Sequence, residues 1–149
     1  MQIVKRLSDT GASEEALQQL ETEVGSPLPN DYRRFLAETN GGHPEPSKFV
    51  FLTPDGNSDS ALRYFLTLNS GEELYTIREY MDRYEDRFPK GVLPIACDSF
   101  GNVVLIDVAA KAYGSVYFWD HEKESMDEPT WENVSDVAPS FTAFVDALE

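Results

Sequence analysis

The sequence predicts a single α+β domain over residues 1–149, with an N-terminal helix pair and further helices packed around a central, mostly antiparallel sheet. Three observations predict it. Apolar residues recur at helical spacing in two N-terminal segments, one middle segment and one C-terminal segment. Between them, short runs rich in Val, Ile, Phe and Tyr are joined by Gly, Asn and Asp turns instead of crossover helices. The hydrophobic share of 41%, with nine Phe, seven Tyr and two Trp, supplies one core and argues against general disorder. Residues 1–12 carry no such pattern and are left as a candidate arm.

Each element has a local cause. Ser13 can cap a first helix whose Ala16, Leu17, Leu20 and Val24 share one face, and Gly25 ends it. Pro27 and Pro29 forbid continuation. A second helix starts at about Pro29, where a missing N–H costs nothing, buries Tyr32, Phe35 and Leu36, and stops at Asn40-Gly41. Residues 42–47, with two prolines, read as a loop around His43. Strands are expected over residues 49–53 and 62–68, on either side of a Pro54-Asp55-Gly56-Asn57 turn. Ser70 and Glu73 form a capping-box pattern for a helix with Leu74, Ile77, Met81, Tyr84 and Phe88 on its apolar stripe. Residues 92–121 supply three strands, with Ser99-Phe100-Gly101-Asn102 as a tight turn and residues 109–114 as a longer one. The unbroken apolar run Val103-Val104-Leu105-Ile106 marks a strand covered on both faces. A last helix from about Pro139 buries Phe141, Phe144, Val145 and Leu148.

Charge narrows the classes of partner. There are 27 acidic against 12 basic residues, a formal net charge of -15. Residues 120–149 hold nine of the acids and one lysine, Lys123, and so carry more than half of that charge. Such a field repels phosphate backbones and anionic bilayers and attracts a basic partner, although acidity also serves solubility alone. Neither nucleic acid nor a membrane is expected as a partner. The longest apolar runs are too short to span a bilayer and no secretory pattern opens the chain, so the expected location is cytoplasmic. The lone Cys97 excludes an internal disulfide and fits a reducing compartment.

Two stretches carry a more specific resemblance. One is Leu28-Pro29-Asn30-Asp31-Tyr32-Arg33-Arg34-Phe35-Leu36 running into Asn40-Gly41-Gly42. The other is Leu93-Pro94-Ile95-Ala96-Cys97-Asp98-Ser99-Phe100-Gly101-Asn102, through Ile106-Asp107, to Gly114-Ser115-Val116-Tyr117-Phe118-Trp119-Asp120-His121-Glu122. With the closing pattern Ser140-Phe141 to Phe144, they resemble the SUKH superfamily (Smi/Knr-like domains), in the same order from Ser13 to the C-terminus. The resemblance implies the α+β fold above. It also implies the role of the superfamily's bacterial members, immunity proteins that neutralise a polymorphic toxin domain, many of which are nucleases with basic clefts. The alternative it leaves is a regulatory or scaffold module of the Smi/Knr cell-wall type.

The residues themselves offer competing chemistry. Asp98, Asp107, Asp120 and His121 lie at strand ends, where they could converge as the acid/base or metal site of a small hydrolase. Against that, Asp and Asn side chains habitually bond turn backbones, so Asp98 and Asn102 would stabilise the Gly101 turn and Asp107 would end its strand. The expectation is therefore no enzyme, no cofactor and no metal. One cysteine and two separated histidines cannot close a structural zinc site, and no glycine-rich loop follows a strand. Cys97 reads as a small buried hydrophobe, and His121 as a hydrogen-bonded structural histidine or a partner contact. Within Tyr117-Phe118-Trp119, an inward Phe118 sends Tyr117 and Trp119 to the other face, under a helix or out as anchors. The expected partner surface combines Asp98, Asp107, Asp120, Glu122, Glu124, Asp127 and Glu128 as steering charges with His121 and with Trp119 or Trp131 as hot spots.

Overall fold

The computed structural model describes residues 1–69 and 73–149. Its element order is β1 (Gln2–Lys5), α1 (Glu14–Val24), α2 (Asn30–Glu38), β2 (His43–Glu45), β3 (Lys48–Thr53), β4 (Gly56–Phe65), α3 (Ile77–Arg83), β5 (Val92–Asp98), β6 (Val103–Asp107), β7 (Val116–Trp119), β8 (Val134–Ala138) and α4 (Phe141–Asp146). Strands β3 to β8 form one antiparallel sheet in sequence order, and β1 pairs with β2 in a small second sheet. The α+β expectation holds.

The helix pair is pinned by one arginine. Ser13 Oγ accepts the Ala16 N–H at 3.1 Å and opens α1. From α2, Arg33 donates to Glu14 at 2.7 and 2.9 Å and to Glu21 at 3.1 and 3.2 Å, while Glu21 also accepts the Leu28 N–H at 2.7 Å. The guanidinium fork thus fixes both helices and the prolines between them. Asp31 joins α2 to α4 by accepting the Thr142 N–H and hydroxyl at 2.9 and 3.0 Å.

The Asn40-Gly41-Gly42 motif has a physical explanation in the turn after α2. Asn40 is buried at φ 54°, and its amide grips the main chain of Leu68: Oδ1 accepts the N–H at 2.7 Å and Nδ2 donates to the carbonyl at 3.1 Å. A Cβ on Gly41 would lie 2.7 Å from the Phe65 carbonyl oxygen, and one on Gly42 would lie 2.7 Å from that of Lys5. Both glycines also have positive φ. Only residues without a side chain let the two backbones approach this closely.

The sheet is covered on both faces. On one, Phe49 meets Phe118 and Phe144 of α4, and Phe65 meets Phe35 of α2 and Phe141. On the other, Trp119 is gripped edge-on by Tyr84 and Phe88, with centroids 5.4 and 5.0 Å away. Strand β6 is buried along its whole length, as its apolar run requires.

Several boundaries differ from expectation. Residues 1–12 are not a free arm, because Gln2–Lys5 pairs with β2. That same pairing turns part of the expected 42–47 loop into a strand, where His43 Nδ1 lies 2.6 Å from the Arg63 carbonyl oxygen. The β3–β4 hairpin is tighter and β4 starts earlier, at Gly56, which pairs with Thr53. Of the capping box, Ser70 lies outside the described residues. Glu73–Tyr75 forms a 3-10 turn, and α3 opens at Ile77 under Thr76, whose Oγ1 accepts the Glu79 N–H at 3.0 Å. Strand β8 was not expected, and α4 begins one residue beyond its cap, Ser140.

Candidate functional site

The Asp/His cluster separates into two turn-building networks. Strands β5 and β6 run antiparallel with Asp107 opposite Val92, so Asp98 and Asp107 lie at opposite ends of the sheet, roughly 20 Å apart by strand rise. Asp98 is buried, and its carboxylate accepts four hydrogen bonds. Its Oδ1 takes the N–H groups of Phe100 and Asn102 at 2.8 and 2.9 Å, and Oδ2 takes Asn102 Nδ2 and Ser60 Oγ at 2.8 and 2.9 Å. Asn102 Oδ1 in turn accepts the His121 N–H at 3.1 Å and lies 2.7 Å from His121 Nδ1. Since Nδ2 of that amide already donates to Asp98, Oδ1 is the acceptor and the imidazole proton sits on Nδ1. The ring lies over Gly101, where a Cβ would come within 3.2 Å of it.

At the far end Asp107, also buried, accepts the Ala109 N–H and the Tyr117 hydroxyl at 2.8 and 2.7 Å. Burial, then this carboxylate, pushes the Tyr117 hydroxyl above its ordinary pKa. Asp98, Asp107 and His121 therefore hold turns, and the two buried aspartates are removed from the steering surface. Cys97 is buried, with its thiol pKa raised by desolvation. Among the described residues no three His, Cys, Asp or Glu side chains come together as a metal site.

The two tryptophans part company. Trp119 is fully buried under Tyr84 and Phe88 and cannot touch a partner, which removes it as an anchor. Trp131 is 48% exposed, its inner edge resting on Tyr117 at a centroid distance of 5.2 Å. It is a surface ring with a rigid seat.

The acidic segment after β7 is ordered by three attachments. Asp120 Oδ1 accepts the Glu122 N–H at 3.0 Å, opening a 3-10 turn over His121–Lys123. Arg87 makes a forked pair with Glu124 at 2.5 and 3.1 Å. Asn133 Nδ2 donates to the Asp120 carbonyl at 3.0 Å and closes the loop. Glu124 is thereby taken out of the steering set, whereas Glu122, Asp127 and Glu128 remain exposed and Asp120 is half-buried. Between these carboxylates Met126 projects with 96% of its surface free.

Sequence reasoning overlooked a neighbouring feature. An open groove of about 320 Å³ lies between the β3–β4 and β5–β6 hairpins, with Phe51 and Phe118 as its floor and Asp120 and Glu122 on its walls. Phe100 stands at its lip, 70% exposed. The available signal was an aromatic residue inside a Ser-Phe-Gly-Asn turn, a position with no core face to enter.

This arrangement is an exposed acidic and aromatic surface on a buried sheet. Residues 11–147 match the SMI1 / KNR4 family (SUKH-1). The chain belongs to that family. SUKH-1 members include immunity proteins and act as binding proteins. The chain is similar to the SPbeta prophage-derived uncharacterized protein YokK of Bacillus subtilis (strain 168), at 30% identity over 90% of this chain and 73% of that protein. The SUKH-1 match spans the Leu28-Pro29, Asn40-Gly41-Gly42 and Asp98-to-Asn102 motifs, each of which does structural work here. No helix among the described residues is long and apolar enough to cross a membrane.

Proposed function

We propose that this chain is a cytoplasmic immunity protein that binds one cognate toxin domain and blocks its active site or substrate path, without catalysing a reaction itself. The observation that carries this reading is the acidic loop. Asp127 and Glu128 are displayed beside Met126 and Trp131 by a loop that the Arg87–Glu124 pair and the Asn133–Asp120 bond hold in one shape. Carboxylates of this kind steer a basic partner and suppress wrong ones, while exposed Met and Trp side chains supply the buried area that slows dissociation. A toxin that acts on nucleic acid presents a cationic cleft, and an acidic protein competes for it directly.

The test is co-expression. This chain should rescue cells from the toxin domain encoded beside its gene and co-purify with it in a stoichiometric complex. Rescue failure with a soluble, folded chain, or a partner that is itself strongly acidic, contradicts the proposal.

A further inference from the structure

The groove beneath Phe100 has its own occupant. We infer that it is an arginine socket: a partner protein inserts one arginine side chain, whose guanidinium stacks on the Phe51 and Phe100 rings while its N–H fork meets Asp120 and Glu122. The inference rests on the reading of the partner as a basic protein and names the contact that such a partner makes.

Three observations carry it. The floor is aromatic and the walls are acidic, with no basic residue among those lining the groove. Its carboxylates are not neutralised from within: no ion pair reaches Asp120 or Glu122 among the described residues. Finally, the chain fills an equivalent arrangement with its own arginine. Arg87 lies over Tyr84 at 4.7 Å and over Trp119 at 5.6 Å while forking onto Glu124. The groove repeats this combination of ring and carboxylate but lacks the cation. Arginine suits it better than lysine because a planar, weakly hydrated guanidinium can stack and pair at once, whereas an ammonium is a compact charge that gives up more hydration.

The experiment is an amide-resolved NMR titration of the full ¹⁵N-labelled chain with the blocked peptide Ac-Gly-Arg-Gly-NH₂ at about 0.15 M salt, where diffuse attraction is screened beyond roughly 8 Å. Lysine and citrulline versions of the peptide serve as comparisons. The arginine peptide should shift the amides of Asp59, Ser60, Phe100, Asn102 and Glu122, the lysine version should bind less tightly, and the citrulline version should shift none. Phe100→Ala and Glu122→Gln should each weaken binding by about three- to tenfold. Phe100 is exposed, so its removal should leave the fold intact; if it lowers the melting temperature, Glu122→Gln alone decides. Shifts confined to residues 124–132, equal binding of the lysine or citrulline peptide, or unaltered affinity in Glu122→Gln would overturn the socket. No toxin is present in this titration, so a failed rescue and a silent groove are separate results.

Discussion

Replacing Asn40 by alanine should be among the most damaging single changes in the molecule, and its size can be worked from the structure. The substitution strips the Leu68 N–H and carbonyl of partners at 2.7 and 3.1 Å in a buried site, each loss costing about 1–2 kcal/mol. It also places a Cβ-bearing residue with no polar side chain at φ 54°, for roughly 1 kcal/mol more. The sum is about 3–5 kcal/mol, a large share of the ~5–15 kcal/mol that holds a typical domain together. Urea unfolding measures it. With a slope of about 1.5 kcal/mol per molar, the midpoint should fall by about 2–3 M while the slope stays constant. Asn40→Gly removes the same hydrogen bonds but relieves the backbone, so it should be about 1 kcal/mol less damaging than alanine. A loss below about 1 kcal/mol for alanine would refute the clamp. Glycine proving worse than alanine would refute the backbone argument.

Three further outcomes follow from the same geometry. Asp98→Ala removes the acceptor of four hydrogen bonds and should cost about 2–4 kcal/mol, read as a drop in thermal midpoint, with less than about 1 kcal/mol counting against it. Trp119→Ala should cost about 3–5 kcal/mol, whereas Trp131→Ala should leave the urea midpoint within about 1 kcal/mol of the parent and weaken only partner binding. Cys97 should resist Ellman's reagent until the chain unfolds, since burial both shields the thiol and raises its pKa. The sign for stability follows: the unfolded thiol ionises first, so this contribution is intact below the unfolded pKa and is lost as pH rises towards the folded value. A Cys97→Ala chain should therefore show a shallower alkaline decline, and an identical decline would contradict the linkage.

What could be read from residues alone depended on how strongly each element is buried. The strands with apolar runs, β5 to β7, and the helices α1 and α2 were legible because their burial leaves a period in the sequence. Strand β8 was not: Val-Ser-Asp-Val-Ala is half-exposed, and only its pairing with β7 makes it a strand. The polar start of β4 is exposed and has no alternation to read. Helix α3 ends at Arg83, yet Tyr84 and Phe88 still reach Trp119, so the apolar stripe was real from Ile77 onward, whereas Leu74 is exposed in the turn before the helix and the helical length was overestimated.

The candidate surface was half legible. Its charge is a property of composition, but which carboxylates face outward is a property of packing. Asp98 and Asp107 point into turns, and Glu124 is held by Arg87, 37 positions earlier in the chain. The choice between Trp119 and Trp131 likewise needed the third dimension. Phe100 was visible as an aromatic in a turn, but the groove beneath it forms only when the two hairpins meet.

On the proposed function, exposed carboxylates on the loop after β7 recruit a basic protein toxin. The most direct measurement of this is the stopped-flow association rate of this chain with the toxin domain encoded beside it, followed across ionic strength, for the parent and for Glu122→Lys/Asp127→Lys/Glu128→Lys. Glu124 is left in place so that the Arg87 attachment survives. The parent's rate should fall steeply with salt, and the triple variant's rate should be at least about tenfold slower at low salt with a flattened slope. Equal rates and equal salt dependence in the two proteins would contradict it.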